Sequence, residues 1–273
     1  MVNCDGWPVG VCSWSLQMGP LEAAGAMNKL GVEHVHLAIG PALRDGASEY
    51  LSAVEGAGWK ITSTMIDFPQ EDYSTLESIK LTGGIVPDEH WQDNRGLFLK
   101  AAEITAELSA PYISMHAGFI DLGRAEHARK FYDRVGELAD AAGDKQIMLL
   151  LETGQESARE LREFLEELAH PYVGVNFDPA NVILYDRGDP NEAVRVLSPW
   201  VRHVHIKDAV RTTEPGSWGT EVPWGDGQVG GKKFLDVLKE TGFEGALAVE
   251  REAGDDRYGD IKLAVERLSN FDG

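Results

Sequence analysis

The chain has little cysteine, little positive charge and no long apolar run in its 273 residues. Cys4 and Cys12 are its two cysteines. They are too few for a disulfide framework, which favours a reduced, cytoplasmic setting. No apolar stretch approaches the roughly 18 residues of a membrane span, and the N-terminus lacks the charged and apolar regions of a signal peptide. We therefore expect neither membrane residence nor secretion.

Positive charge is scarce, because 25 lysines and arginines face 45 aspartates and glutamates, a formal net charge of −20. Proteins that bind nucleic acids neutralise the phosphates with lysine and arginine, so we expect no nucleic-acid partner. No Gly-x-Gly-x-x-Gly follows the first predicted strand, which removes the usual dinucleotide-binding interpretation.

The sequence does contain a regular alternation of short apolar runs with longer helical patterns, and no low-complexity linker divides them. The apolar runs predict strands at Val9–Ser13, His34–Leu37, Ile61–Met65, Tyr112–His116, Met148–Glu152, Val173–Asp178, Val201–His205 and Ala246–Glu250. Apolar residues spaced i, i+3, i+4 predict helices at Gly19–Lys29, Tyr50–Ala57, His90–Glu107, Ala125–Ala142, Ser157–Leu168, Pro190–Leu197, Lys232–Lys239 and Asp260–Leu268.

Strands that alternate with helices predict a parallel sheet with helices outside it. Eight such units favour a closed barrel over an open sheet, and a (β/α)8 barrel of about 250 residues forms one domain. We therefore predict an α/β fold, a (β/α)8 TIM barrel, as a single domain over residues 1–273. The long segment Ala209–Gly231 lies over the predicted barrel mouth and is predicted to be a lid or a subunit contact.

The carboxyl ends of the predicted strands, where barrel active sites form, are unusually polar. Strands five and eight end apolar runs in Glu152 and Glu250, and strands six and seven end in Asp178 and His205. Burying an unpaired carboxylate costs several kcal/mol, so these groups need a cation, a metal ion or solvent. Three carboxylates and one imidazole suit one divalent ion with oxygen and nitrogen ligands, either Mn²⁺, Mg²⁺, Co²⁺ or Zn²⁺.

Each of these residues alone has an ordinary structural explanation. A single glutamate at a strand end more often caps a helix or pairs with lysine than binds a metal ion, so only the set of four favours a metal. His203 and His205 share one face of a strand. His205 is nearer the mouth and is the better ligand, whereas His203 is better explained as a hydrogen-bonded histidine behind the site.

Further residues near the predicted mouth are candidates for substrate contact. Trp14 either stacks on an apolar face of the substrate or fills the top of the barrel. His116 either lines the pocket or is a satisfied core histidine, and the core role is favoured for His36. Lys207 either contacts the substrate or pairs with Asp208.

Several short motifs occur in order along nearly the whole chain: Cys12-Ser13-Trp14-Ser15-Leu16, Leu151-Glu152, Asp178-Pro179-Ala180-Asn181, His203-Val204-His205-Ile206-Lys207-Asp208, Gly225-Asp226-Gly227 and Val249-Glu250-Arg251-Glu252. Together they resemble the xylose isomerase-like TIM barrels. This family includes sugar phosphate isomerases and epimerases and ketose 3-epimerases, with hydroxypyruvate isomerase and inosose-processing enzymes as relatives.

The resemblance implies roles for particular residues. Ketose 3-epimerases of this family bind one divalent metal through Glu, Asp, His and Glu, which match Glu152, Asp178, His205 and Glu250. Their two glutamates also exchange the proton on opposite faces of the reacting carbon. The resemblance therefore assigns catalysis to Glu152 and Glu250.

Two more positions are implied as substrate contacts. Asn181 stands three residues after Asp178, where those epimerases carry a histidine that contacts the substrate, and this departure argues against a simple ketohexose. Arg211 stands six residues after His205, where they have a substrate-binding arginine. Dimers and tetramers are common among these relatives, so a homo-oligomer is one option, but the residues alone decide nothing about assembly.

The resemblance implies a divalent-metal-dependent isomerase or epimerase of a small carbohydrate or cyclitol. A metal ion chelated by a carbonyl and an adjacent hydroxyl stabilises the enediolate that deprotonation produces, with the two glutamates as base and acid. The alternative is a metal-dependent lyase or dehydratase of a keto-sugar, keto-glycoside or keto-inositol. A non-catalytic sugar- or metal-binding barrel and a DNA-repair nuclease are two further alternatives, and the negative charge argues against the nuclease.

Overall fold

The computed structural model describes residues 2–271, and eight parallel strands close into a barrel at its centre. These strands are β2 (Trp7–Cys12), β3 (His34–Ala38), β4 (Lys60–Ile66), β5 (Tyr112–Met115), β6 (Met148–Glu152), β7 (Val173–Phe177), β8 (Val201–Ile206) and β11 (Ala246–Val249). The first of them, β2, closes the ring because it pairs in parallel with both β3 and β11. The predicted (β/α)8 barrel is confirmed.

Helices connect the barrel strands and cover them from outside, as the alternating pattern predicted. The α-helices are α1 (Pro20–Lys29), α2 (Ala47–Ala57), α3 (Leu76–Thr82), α4 (Trp91–Glu107), α5 (Ala125–Gly143), α6 (Ala158–Leu168), α7 (Pro179–Leu184), α8 (Pro190–Leu197), α9 (Gly231–Glu240) and α10 (Arg257–Ser269). Their apolar faces supply much of the core. On α5, for example, Phe131, Val135 and Leu138 are buried four or three residues apart, the spacing of one helix face.

All eight predicted strands and all eight predicted helices are present, with boundaries that shift by a few residues. The sequence reasoning missed the short helices α3 and α7 and the 3-10 helices Ser13–Leu16 and Gly40–Leu43. It also missed three short strands, β1 (Asn3–Cys4), β9 (Asp208–Val210) and β10 (Thr220–Val222). Elements of two to seven residues are too short for an apolar period to be visible. In the part of the chain that the structure describes, no helix is long and apolar enough to cross a membrane.

The long segment after β8 is anchored to the barrel by one carboxylate. Strands β9 and β10 pair as an antiparallel hairpin within it. The buried side chain of Asp208 accepts four backbone hydrogen bonds, from the amides of Ala209, Gly225, Gly227 and Val229. A Cβ on Gly227 would lie 2.2 Å from Asp208 Oδ1, so this close approach requires glycine. The prediction of a lid or a subunit contact is not decided by this anchoring.

Polar side chains fill part of the barrel interior below the mouth. His36, Asn176, His203 and His205 are fully buried. His203 Nδ1 lies 2.9 Å from Asn176 Oδ1, and its Nε2 lies 3.0 Å from Thr62 Oγ1. Because buried polar groups need partners, this network fixes the ring of His203 and the amide of Asn176 in place. Both therefore form a rigid support beneath His205.

Candidate metal and acid–base site

The structure brings the four predicted metal ligands together in one buried cluster. Glu152 ends β6, Asp178 and Glu250 directly follow β7 and β11, and His205 lies in β8. One ligand atom from each lies within 4.8 Å of all the others. His205 Nδ1 is 3.4 Å from Glu152 Oε1, 3.6 Å from Asp178 Oδ2 and 3.2 Å from Glu250 Oε2. Four consecutive strand ends thus converge on one point.

The donor atoms of this cluster fit a divalent cation. Asp178 Oδ2 and His205 Nδ1 are buried and have no hydrogen-bond partner within residues 2–271. Glu250 Oε2 is also buried and lies 2.9 Å from the ammonium group of Lys207. Buried polar atoms normally have a partner, so two unpartnered atoms that face each other beside two glutamates need an explanation. Oxygen ligands with one imidazole are typical of Mg²⁺, Mn²⁺ and related ions.

Neighbouring side chains orient the ligands. Asp178 Oδ1 caps α7 by accepting the amides of Ala180 and Asn181, which turns Oδ2 towards the cluster. His205 Nε2 lies 2.9 Å from His36 Nδ1. Burial lowers the pKa of His36 to about 3, so its neutral ring can accept the Nε2 proton of His205. That hydrogen bond orients the ring with Nδ1 towards the cluster, where Nδ1 can bind an ion once it has lost its proton.

Glu152 is held by amide and imidazole groups. Asn176 Nδ2 donates to its Oε2 at 3.1 Å, and Asn181 Nδ2 donates to its Oε1 at 3.1 Å. His116 Nε2 lies 3.5 Å from the same Oε1. Burial would raise the pKa of Glu152, but His205 and His116 lower it below its usual value. The structure therefore brings the predicted residues Asn181 and His116 to this carboxylate.

Glu250 is held by an indole and an ammonium group. Trp14 Nε1 donates to Oε1 at 2.8 Å, and Lys207 Nζ lies 2.9 Å from Oε2. Burial alone would raise the pKa of Glu250, but the charges of Lys207 and His205 hold it well below the usual range. The two glutamates thus have different environments, since a lysine contacts Glu250 and neutral amides contact Glu152.

Lys207 is buried among carboxylates. Besides Glu250, its Nζ lies 2.6 Å from Glu252 and 3.7 Å from Asp178. Burial would lower the pKa of Lys207, but these carboxylates raise it well above its usual value. The ion pair considered from the sequence, between Lys207 and Asp208, is not the one formed, because backbone amides already bind Asp208.

The structure does not bring Arg211 to the cluster. Its guanidinium pairs with Asp186, and Nη2 donates to the carbonyl oxygen of Gly188 at 2.6 Å. Both partners lie in the turn between α7 and α8. Arg211 therefore ties the segment after β9 to that turn, and a substrate contact requires this ion pair to open.

Sequence reasoning missed three residues that shape the site. Asn176 bridges Glu152 and His203 from inside β7. Glu221 in β10 pairs with the buried Arg251 at 2.6 Å. The side chain of Gln155 is buried beside Glu152. Only Asn176 carried a visible signal, because an amide inside an apolar run of a barrel strand needs a polar partner.

A divalent ion at this cluster would bind in a pH-dependent way, because the ligands must lose protons first. Burial would lower the pKa of His205, but Glu250 and Glu152 raise it well above the usual value, and burial raises the pKa of Asp178 to about 6. A raised pKa keeps the proton on at neutral pH, so the ion must displace it. We expect the Mn²⁺ affinity to rise about tenfold per pH unit near neutrality, with about one proton released.

Calorimetry in buffers of different ionisation enthalpy measures this proton directly. Below about pH 6 the affinity should fall more steeply, because Asp178 then takes up a second proton. An affinity that stays constant between pH 6 and pH 8 would contradict the linkage.

Fold and cluster define a class of protein, a (β/α)8 barrel with a carboxylate–histidine site at its mouth. The sequence over residues 23–270 matches the xylose isomerase-like TIM barrel family. The chain belongs to this family. Among curated proteins, a search finds no match.

Solved structures with the same fold include one relative at more than 30% identity. A xylose isomerase domain protein from Planctomyces limnophilus is 31% identical with a TM-score of 0.87, over 97% of this chain and 96% of that chain. A xylose isomerase-like TIM barrel protein from Mycobacterium smegmatis in complex with magnesium is 17% identical, with a TM-score of 0.73 over 98% and 99% of the two chains. A 3-keto-D-glucoside 4-epimerase from E. coli is 14% identical, with a TM-score of 0.72 over 96% and 98%.

Proposed function

We propose that this protein is a divalent-metal-dependent isomerase or epimerase of a small carbohydrate or cyclitol. The observation that carries the proposal is the buried convergence of two glutamates on the unpartnered atoms of Asp178 and His205. The family assignment and the sugar epimerase among the structures of the same fold support a carbohydrate substrate.

A divalent ion at the cluster would act as a Lewis acid on a carbonyl oxygen and an adjacent hydroxyl of the substrate. Asp178 and His205 would hold that ion, and Glu152 and Glu250 would complete the ligand set. The two glutamates flank the other ligands, since β7 and β8 lie between β6 and β11 in the barrel. One glutamate removes the proton next to the carbonyl, and the other returns one from the second side.

Surrounding residues keep the two carboxylates ready for proton transfer. Trp14 and Lys207 fix the position of Glu250. Asn176, Asn181 and His116 fix that of Glu152. Because these contacts exist before a substrate arrives, little reorganisation is needed when the proton moves. The indole face of Trp14 also offers a stacking surface for a sugar ring.

The first test is the metal content of protein purified without chelator. We expect about one divalent ion per chain, and its loss in Asp178→Asn. Asparagine keeps the Oδ1 cap on α7 and removes the charge of Oδ2. Asp189→Asn is the matched control, because Asp189 caps α8 with the same two hydrogen bonds before a proline. Retention of metal in Asp178→Asn, or loss in both variants, would contradict the proposed site.

The reaction is then tested by deuterium uptake from D₂O into ketoses, keto-glycosides and keto-inositols. An epimerase or isomerase incorporates deuterium and preserves the mass of the carbon skeleton. Loss of water or an aglycone from the same enediolate identifies a lyase or dehydratase instead. Binding without exchange would make the protein a non-catalytic sugar-binding barrel.

A further inference from the structure

Acidic groups outnumber basic groups at the barrel mouth. Among residues 2–271 the buried cations are Lys207 and Arg251, and both are already paired. Lys207 contacts four carboxylates and Arg251 contacts two. Even with a divalent ion bound, four positive charges would face six carboxylates, which are Glu152, Asp178, Glu221, Glu250, Glu252 and Asp260. Such a mouth repels an anionic group on a substrate.

Several backbone amides in the places where other barrels bind phosphate are also occupied, by aspartates of the chain itself. In TIM barrels a phosphate often binds the loops after the seventh and eighth strands and the start of a helix. After β8, Asp208 accepts hydrogen bonds from three amides of the glycine-rich loop before α9. After β11, Asp256 accepts a hydrogen bond from one amide at the start of α10. After β7, Asp178 accepts hydrogen bonds from two amides of α7.

The positive groups at the surface near the mouth do not replace these occupied sites. Exposed Lys80 and Arg187 lie over the ring of Phe119, at 5.7 Å and 5.5 Å from its centroid. Arg211 is paired with Asp186. Within residues 2–271, no hydrogen bond or ion pair orients Lys80 or Arg187 towards the cluster, so these side chains do not form an anion-binding site.

Neutral polar groups face the pocket instead. Gln155 lines a small cavity of about 10 Å³ together with His116 and Glu152, which has room for one hydroxyl group or one water molecule. Its Nε2 and Oε1, and also His116 Nδ1, are buried without a well-aligned hydrogen bond in the described part of the chain, although the Gln155 amide lies near the hydroxyl of Tyr185. Gly154 has a φ of 151°, and a Cβ there would lie 2.9 Å from Asn181 Cβ. This turn, which only glycine adopts readily, holds the Gln155 amide beside Glu152.

We infer that the site takes an uncharged polyhydroxy carbonyl compound, a free keto-sugar, keto-glycoside or keto-cyclitol, and discriminates against phosphorylated and carboxylated analogues. Gln155 is the specificity-determining residue, because its amide can hydrogen-bond the one substrate hydroxyl for which this cavity has room. This inference rests on the proposed function. An amide that stays unpaired without its hydroxyl partner penalises any analogue that lacks the hydroxyl.

The test compares matched pairs of compounds that differ only in a phosphate, such as a free ketose and its terminal phosphate ester. The Mn²⁺-loaded protein is titrated calorimetrically with each, and deuterium uptake is measured alongside. We expect the free compound to bind at least about tenfold more tightly. Equal or tighter binding of the phosphate ester, or binding of no neutral compound in the panel, overturns the inference. Neutral binding without any deuterium uptake would leave it standing and refute the proposed reaction.

Gln155→Ala tests the residue itself. We expect KM for the neutral substrate to rise about tenfold or more, with an unchanged metal content and a smaller change in kcat. The unchanged metal content shows that the variant is folded. Gln92→Ala, at an exposed position on α4, is the matched control. An unchanged KM in Gln155→Ala would refute this role, and Gln155→Asn, whose shorter amide cannot reach the same hydroxyl, should not restore wild-type KM.

Discussion

Replacing Glu250 by glutamine should lower kcat by about 10²–10⁴-fold, the usual effect of removing a general acid or base. Glutamine has nearly the same shape and can still accept the hydrogen bond from Trp14. It cannot take a proton from carbon, and it weakens one ligand of the metal. The assay is therefore run at saturating Mn²⁺, with the metal content of each variant measured, so that loss of catalysis is separated from loss of metal.

The matched control is Glu244→Gln, an exposed glutamate in the turn before β11. It changes the net charge by the same amount and should leave kcat unchanged. Full turnover by Glu250→Gln with an occupied metal site would refute the two-carboxylate scheme.

Glu152→Gln should have a similar effect on net turnover, but the two variants should differ in isotope exchange. If each glutamate serves one side of the reacting carbon, each variant keeps proton exchange with one of the two epimers and loses it with the other. The test incubates each variant with each epimer in D₂O and measures deuterium at the reacting carbon. Exchange of both epimers by one variant would mean that a single base serves both sides.

The strand ends made much of this site predictable. Glu152 and Glu250 each end a run of apolar residues, and a carboxylate in that position must have a buried partner or lie at a barrel mouth. Parallel strands bring their carboxyl ends to the same side of the barrel. The convergence of the ligands at the ends of β6, β7, β8 and β11 can therefore be predicted without any measured distance. The periodic pattern therefore predicted both the barrel and the cluster.

Partners that lie far apart in the chain were not predictable. Lys207 precedes Asp208 in the sequence, yet it contacts Glu250 and Glu252 while backbone amides bind Asp208. Glu221 reaches the site from the β9–β10 hairpin, which lies inside a long segment without a periodic pattern of apolar residues. Nothing in local spacing shows such pairings, because they are set by how the loops pack together.

One local signal in the sequence does predict the short helix α7. Asp178-Pro179 and Asp189-Pro190 both place an aspartate at the N-cap and a proline at the first helical position. This pair is a recognised start of a helix. It predicts α7 as well as α8, and it explains why Asp178 can cap a helix with one oxygen and leave the other for a metal ion.

Removal of the Lys207 charge should destabilise the metal-free protein by about 3–5 kcal/mol, the usual cost of leaving a buried charge without its partner. The variant is Lys207→Met, which keeps a chain of similar length and shape. Lys207 is only 4% exposed, so solvent does not screen its ion pairs with Glu250 and Asp178. Without the ammonium group these carboxylates repel each other in a buried site. Urea unfolding in the presence of EDTA measures the loss, with the exposed Lys29→Met as the control.

The same variant should recover stability when Mn²⁺ is added, because the ion neutralises the carboxylates that Lys207 leaves unpaired. A ligand that binds only the folded state adds RT ln(1 + [L]/Kd), about 2.7 kcal/mol at a hundred times Kd. We expect Lys207→Met to gain more than the wild-type protein does, since one competing positive charge is gone and its affinity for the ion is higher. Equal losses with and without Mn²⁺ would mean that the lysine acts through packing of its stem. A larger gain would show that ammonium and metal ion stabilise the same carboxylates, and that the lysine keeps the cluster folded until the ion binds.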